Sequence, residues 1–295
     1  MTNNIEITLD VVRNLILEQF PQWSNLPIKP VELSGWDNRT FRLGDEMLIR
    51  LPSAEGYVVQ VLKEQKWLPK LANNLSVQIP TPIALGKPSE LYPWSFSIYN
   101  WIEGNSANSI KIEEKYLEGI ALQLANFLNE LHKIDIINGP LAGKHNYFRG
   151  ATLSVYEEEA KKAIENLKDL INYEKSLLIW KKAVESKWEK DPVWIHGDFS
   201  SGNIILKDNI LKAVIDFGCM GVGDPACDLV IAWTYLKNSS REIFKSNVKV
   251  DDKTWERARG WALWKALITL DSYDNKTDNK SLEQIKIIED ILAEY

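Results

Sequence analysis

The stretch Val193-Trp-Ile-His196-Gly-Asp198-Phe-Ser-Ser-Gly-Asn203-Ile-Ile-Leu-Lys-Asp-Asn-Ile-Leu-Lys-Ala-Val-Ile-Asp216-Phe217-Gly218 decides how the chain is read. Three short β-branched, apolar runs at 193–195, 204–206 and 211–215 predict strands, separated by a polar loop at 196–203 and a Lys207-Asp208-Asn209 turn. Asp198, Asn203 and Asp216 therefore fall at strand ends, where they can converge. An Asp that accepts a hydroxyl proton, an Asn five residues on and an Asp closing the next hairpin make a chemically sensible set. The first orients a nucleophile. The other two offer hard oxygen ligands to Mg²⁺, which keeps substrate phosphates in its own shell. The pattern asks for phosphoryl transfer.

His196-Gly197-Asp198 stands where protein kinases carry His-Arg-Asp, and Asp216-Phe217-Gly218 resembles their metal-binding Asp-Phe-Gly. His-Gly-Asp-x-x-x-x-Asn followed by Ile-Asp-Phe-Gly resembles the aminoglycoside phosphotransferase family, the antibiotic-kinase branch of the protein-kinase-like fold. The resemblance implies an α+β, two-lobed architecture. Residues 1–102 would form an N-terminal nucleotide-binding lobe, an antiparallel sheet with helices that ends at a hinge. Residues 103–295 would form a larger, mostly helical C-terminal lobe for catalysis and acceptor binding.

Length and composition fit that expectation: 295 residues are enough for two lobes sharing a cleft, and 45% apolar with 26% charged residues is ordinary for a globular protein. A net charge of −6 argues against nucleic acid, which needs a basic face, and favours a cationic small molecule. Two cysteines, Cys219 and Cys227, make neither a disulfide framework nor a metal cluster, so a reducing compartment is expected. Glu6, Asp10, Arg13 and Glu18 interrupt the first twenty residues, and there is no apolar run of 18. A cytoplasmic monomer with no membrane partner is expected.

Along the chain, the spacing predicts a helix over 8–20 ending before Pro21, then strands at 31–33, 38–43 and 46–50 around a Gly44-Asp45 turn. The loop Ser34-Gly35-Trp36-Asp37-Asn38 resembles the family's phosphate-covering loop, with Ser34 replacing a glycine; by itself it is a hairpin turn. By the same resemblance Arg50 takes the place of the kinase lysine on the α/β-phosphates, paired with Glu64 on a helix at 55–71, Glu55 being the other candidate. At the hinge, Asn100 C=O and Ile102 N–H would hold the purine, with Tyr99 at the gate.

A long helix over 112–132 ends at His132, which would cap it electrostatically. Two helices follow over 153–190, and their Glu157-Glu158-Glu159 triplet is either a solvated face or part of the acceptor wall. Gly223-Asp224-Pro225-x-x-Asp228 again resembles the family, whose helical Asp supports the catalytic loop. Helices over 255–270 and 281–291 would close the acceptor cleft, with Trp264 and Asp271, together with Glu157 and Asp224, as candidate substrate contacts.

The roles implied are Asp198 as base, His196 and Asp228 as its supports, Asn203 and Asp216 on Mg²⁺, and Arg50 on ATP or GTP. The acceptor would be a hydroxyl of an aminoglycoside. A metabolic kinase for choline or homoserine would use the same catalytic residues, and the fold does not choose between them. A non-catalytic nucleotide-binding module predicts loss of a base or metal residue, yet Asp198, Asn203 and Asp216 are all present. A protein serine/threonine kinase is disfavoured, because no long activation loop or Ala-Pro-Glu separates Gly218 from Asp224-Pro225.

Overall fold

A computed structural model describes residues 6–31 and 37–295, and the described chain divides into two units. The smaller holds the residues up to Gly104 together with Ala213–Gly218; the larger holds Asn105–Lys212 and Cys219–Tyr295.

In the smaller unit, helix α1 (Leu9–Gln19) starts where the Thr8 hydroxyl accepts the Val11 N–H, and it buries Val12, Leu15 and Ile16, residues three and four apart on one face. It stops before Pro21, as its sequence requires. Strands β1 (Ile28–Pro30), β2 (Asn38–Leu43) and β3 (Met47–Pro52) precede helix α2 (Val58–Ala72), and β4 (Pro82–Gly86) and β5 (Phe96–Asn100) follow it. They make one antiparallel sheet in the order β1-β2-β3-β5-β4. Gly44, at φ +59°, supplies the left-handed residue that the β2–β3 turn needs. Leu43, Ile49, Leu51, Phe96 and Ile98 are completely buried between the sheet and α1. The expected first strand over 31–33 is corrected: the strand lies at Ile28–Pro30, and residues 32 and 33 are outside the described residues.

The larger unit opens with β6 (Asn105–Ser106) and α3 (Glu114–Leu131), whose Ile120, Leu124, Phe127, Leu128 and Leu131 form a fully buried stripe. Helices α4 (Glu157–Asn166) and α5 (Tyr173–Glu185) come next, then β7 (Val193–Ile195), β8 (Ile204–Lys207) and β9 (Ile210–Val214), whose last two residues already belong to the smaller unit. Asp208 and Asn209, both with positive φ, turn the chain between β8 and β9. Strand β10 (Gly221–Gly223) pairs antiparallel with β7, so Asp198 begins its loop from an anchored strand end. A short α6 (Ile231–Thr234), α7 (Asn238–Asn247), α8 (Asp252–Ser272) and α9 (Asn279–Ala293) complete the chain.

Two expectations change here. The boundary expected at 102 lies at Gly104, and Ala213–Gly218 belongs with the first unit, because Val214 donates its N–H to Gln78 O and Asp216 pairs with Arg50. His132 does not cap α3 as a cation: burial pulls its imidazole down to about 4, so it is neutral at pH 7.

Candidate active site

In the smaller unit the pairing of β3 with β5 sets Arg50 opposite Ser97, and α2 brings Glu64 to the same place. Arg50 Nη1 lies 3.3 Å from Glu64 Oε1, and Nη2 lies 2.8 Å from Asp216 Oδ1. Burial works against the charged guanidinium, but Asp216 and Glu64 overcome it and hold Arg50 well above its ordinary range. Tyr99 Oη donates to Glu64 Oε2 at 2.6 Å, completing a buried Arg–Glu–Tyr chain. Burial first, and the neighbouring Glu64 carboxylate second, push the Tyr99 phenol well up, so it stays a donor. This corrects the expected place of Tyr99 at the gate of a purine slot: the side chain is 1% exposed and points at Glu64.

Asp216 sits in the left-handed region at φ 64°, and its side chain remains 41% exposed. The following Gly218 lies against α2, where a Cβ would come 2.7 Å from Gln60 Oε1. Gln60 also reaches Asp37, whose carboxyl is pushed up by burial and by the nearby Asp216. At the expected hinge, Asn100 N–H donates to Thr81 O and Trp101 N–H to Glu46 O, which fixes the backbone leading to Ile102. Ser34 lies outside the described residues.

In the larger unit the loop after β7 is held from beneath. Asp228, fully buried, accepts the backbone N–H of His196 at 2.7 Å and of Gly197 at 2.8 Å. Burial raises the Asp228 carboxyl, against the opposing pull of His196 and these two N–H groups. Gly197 turns the loop at φ +83°, and a Cβ there would meet Cys219 O at 2.1 Å, so no other residue fits. The buried His196 ring accepts the Asp198 N–H on Nδ1 and packs edge-on against Phe199.

The Asp198 carboxylate is gripped at both oxygens: Asn203 Nδ2 donates to Oδ2 at 3.1 Å, and Lys265 Nζ lies 3.0 Å from Oδ1. Burial works to raise its pKa, but Lys265, His196 and Arg149 outweigh it and hold Asp198 below the usual carboxylate range. The group is an ionised acceptor at the end of a strand, 41% exposed. Asn203 Nδ2 also donates to Asp198 O at 2.9 Å.

The expected acceptor contacts are dispersed. Glu157 pairs with Lys161 on its own helix, and Asp271 accepts from Asn166. Trp264 is 4% exposed, donates Nε1 to Glu159 Oε2 and lies against Tyr156. Asp224 is corrected: it is 4% exposed and fully engaged by Arg257 Nε at 2.6 Å and the Ala226 N–H, so it anchors α8 and has no face for a substrate.

Three cations were missed by sequence reasoning. Arg257 and Lys265 lie on α8, dozens of residues from the carboxylates that they meet, and their side chains carry no motif. Arg149 lies at the end of a loop, with its guanidinium 4.6 Å over the Trp264 ring and close to Tyr156 and Trp261. A lone charge in the apolar run Trp261-Ala-Leu-Trp-Lys265-Ala-Leu is the only sequence signal for Lys265.

No cluster of three or more His, Cys, Asp or Glu side chains able to hold a metal occurs among the described residues. Mg²⁺ bound largely by phosphates needs fewer protein ligands, and the Asn203 amide and the Asp216 carboxylate each offer a hard oxygen donor of the right kind. Among the described residues no helix is long and apolar enough to cross a membrane.

The model of the phosphotransferase enzyme family matches residues 27–261. An aminoglycoside 3'-phosphotransferase of Escherichia coli is 32% identical over 138 residues, 43% of this chain and 47% of that protein. The chain thus spans about half the length of the curated relatives it matches. The GDP complex of wild-type aminoglycoside 2'-phosphotransferase-IIIa superposes with a TM-score of 0.74 at 19% identity, covering 98% of this chain and 99% of that one. The apoenzyme of macrolide 2'-phosphotransferase MphH from Brachybacterium faecium gives 0.62 at 16% identity over 95% and 98% of the two chains. At these identities the structural likeness is one of fold, the kinase-like α+β fold expected from the motifs.

Proposed function

Because this chain belongs to the phosphotransferase enzyme family, we propose that it transfers the γ-phosphoryl group of ATP or GTP to a hydroxyl of an aminoglycoside, and so acts in antibiotic resistance. The observation that carries this reading is the state of Asp198: an ionised, partly exposed carboxylate on an anchored loop, with a donor on each oxygen.

In the transfer, Asp198 accepts the hydrogen bond of the acceptor hydroxyl and takes its proton as the oxygen bonds to the γ-phosphorus. The bond from that phosphorus to the β–γ bridging oxygen breaks, and the nucleoside diphosphate leaves with the electron pair. Arg50, held in place by Glu64 and Asp216, offsets the charge of the α/β-phosphates. Asn203 and Asp216 would hold Mg²⁺, which neutralises phosphate charge when bound. Asp228 and His196 fix the loop that aims Asp198.

The test is to incubate the protein with Mg²⁺, ATP or GTP, and a panel of aminoglycosides, choline and homoserine, reading nucleotide consumption and acceptor mass. A phosphoryl group on an aminoglycoside and not on choline or homoserine is expected. The opposite pattern overturns the acceptor, and no transfer to any of them overturns the reaction.

A further inference from the structure

Lys265 is the one charged residue between Gly260 and Leu270 of α8, flanked by the buried Trp264 and Ala266. Its ammonium nevertheless reaches Asp198 Oδ1, at 3.0 Å, with the two side chains 39% and 41% exposed. An ion pair this exposed adds little to folding stability. Packing does not call for it either, since the neighbouring helix positions are apolar and buried.

An acceptor hydroxyl bonded to the same carboxylate oxygen stands one hydrogen-bond length from it, and hence within about 6 Å of Lys265 Nζ. An ammonium carries three N–H groups, and Asp198 occupies one. Arg149 is not placed for the same task, because its guanidinium is sandwiched by Tyr156, Trp261 and Trp264.

We propose that Lys265 is a further catalytic residue of the phosphoryl transfer, holding Asp198 with one N–H and presenting the others to the phosphoryl oxygens as they reach the acceptor. This rests on the reading of Asp198 given above. The lysine keeps all its protons: the hydroxyl proton goes to Asp198, the new O–P bond forms at the acceptor, and the leaving diphosphate takes the electrons of the broken bond. Lys265 supplies fixed positive charge where negative charge moves, the arrangement that electrostatic catalysis requires.

The experiment measures kcat, acceptor KM, nucleotide Kd and melting temperature for the wild type, Lys265→Met, Lys265→Arg, Asp198→Asn and the Asp198→Asn/Lys265→Met double variant. Lys265→Met is expected to lower kcat about 10- to 100-fold with acceptor KM and nucleotide Kd within about threefold, and Lys265→Arg to recover most of the loss. The double variant should lose a further several-fold of the residual turnover of Asp198→Asn, because Lys265 touches the phosphoryl group as well as the base. Full activity in Lys265→Met, or a double variant no slower than Asp198→Asn, overturns the assignment while leaving the phosphotransferase reading intact. A wild type that phosphorylates no acceptor overturns both.

Discussion

Asp198 meets three demands at once: it must stay ionised, stay aimed, and keep an oxygen for the acceptor. Lys265 and Asn203 secure the first two by taking one lone pair on each oxygen, which leaves one free on each. Asp198→Asn keeps the size and the loop but removes the proton acceptor, so kcat should fall about 10²- to 10⁴-fold with nucleotide affinity and melting temperature little changed. Steady-state kinetics beside a thermal melt check this; unaltered kcat would remove Asp198 from the reaction. The Asp198–Asn203 contact was legible in the sequence because it is local: an Asp and an Asn five residues apart on one loop between two short strands can meet. Lys265 was not legible, since a cation 67 residues away in sequence acquires its meaning only when α8 folds against the loop.

Elements explain why that loop holds its shape. The turn after Asp224 runs as a 3₁₀ helix from Pro225 to Val230, which carries Asp228 beneath the loop to receive two N–H groups. Asp228→Ala leaves both N–H groups buried without an acceptor, each at about 1–3 kcal/mol, so a loss of roughly 2–6 kcal/mol in urea unfolding is expected together with a fall in kcat. A loss below about 0.5 kcal/mol would show that the loop stands without it. At the end of α3 the competition is between dipole and burial. A helix C-terminus favours a cationic histidine by about 0.3–1 kcal/mol, whereas burial holds His132 near 4, so burial wins. The unfolded chain takes up a proton near pH 6.5 and the folded one does not until about 4. Stability from this group is therefore complete above pH 6.5 and lost as the pH falls towards 4, by about 3 kcal/mol. Urea midpoints at pH 7.5 and 4.5 should show a steeper decline for the wild type than for His132→Gln; parallel declines would show that His132 is not the titrating group. Sequence alone set His132 at a helix end, where the dipole rule applies, but could not show how deeply the turn is packed.

At the scale of the whole molecule, the chain is interleaved: Ala213–Gly218 leaves the larger unit to complete the smaller. The expected single boundary near residue 102 missed this because a boundary read from sequence follows chain order, whereas Val214 pairs with Gln78 and Asp216 with Arg50, more than a hundred residues back. Most of the smaller unit was legible, since alternating strands and an amphipathic helix have a periodicity of their own. Its last piece had none. Removing that piece leaves buried Arg50 with Glu64 as its remaining carboxylate and takes the Val214 donor away from Gln78. A buried charge robbed of one partner is costly, and an unmade buried hydrogen bond adds to it. Residues 1–104 expressed alone should therefore unfold at lower urea than the same residues with 213–218 joined through a flexible Gly/Ser linker, by roughly 1–3 kcal/mol. Asp216→Asn in the joined chain should forfeit much of the gain, because the amide no longer balances the guanidinium. Equal midpoints for the two chains would mean that the segment adds nothing to that unit, and that Asp216 owes its place to the larger one.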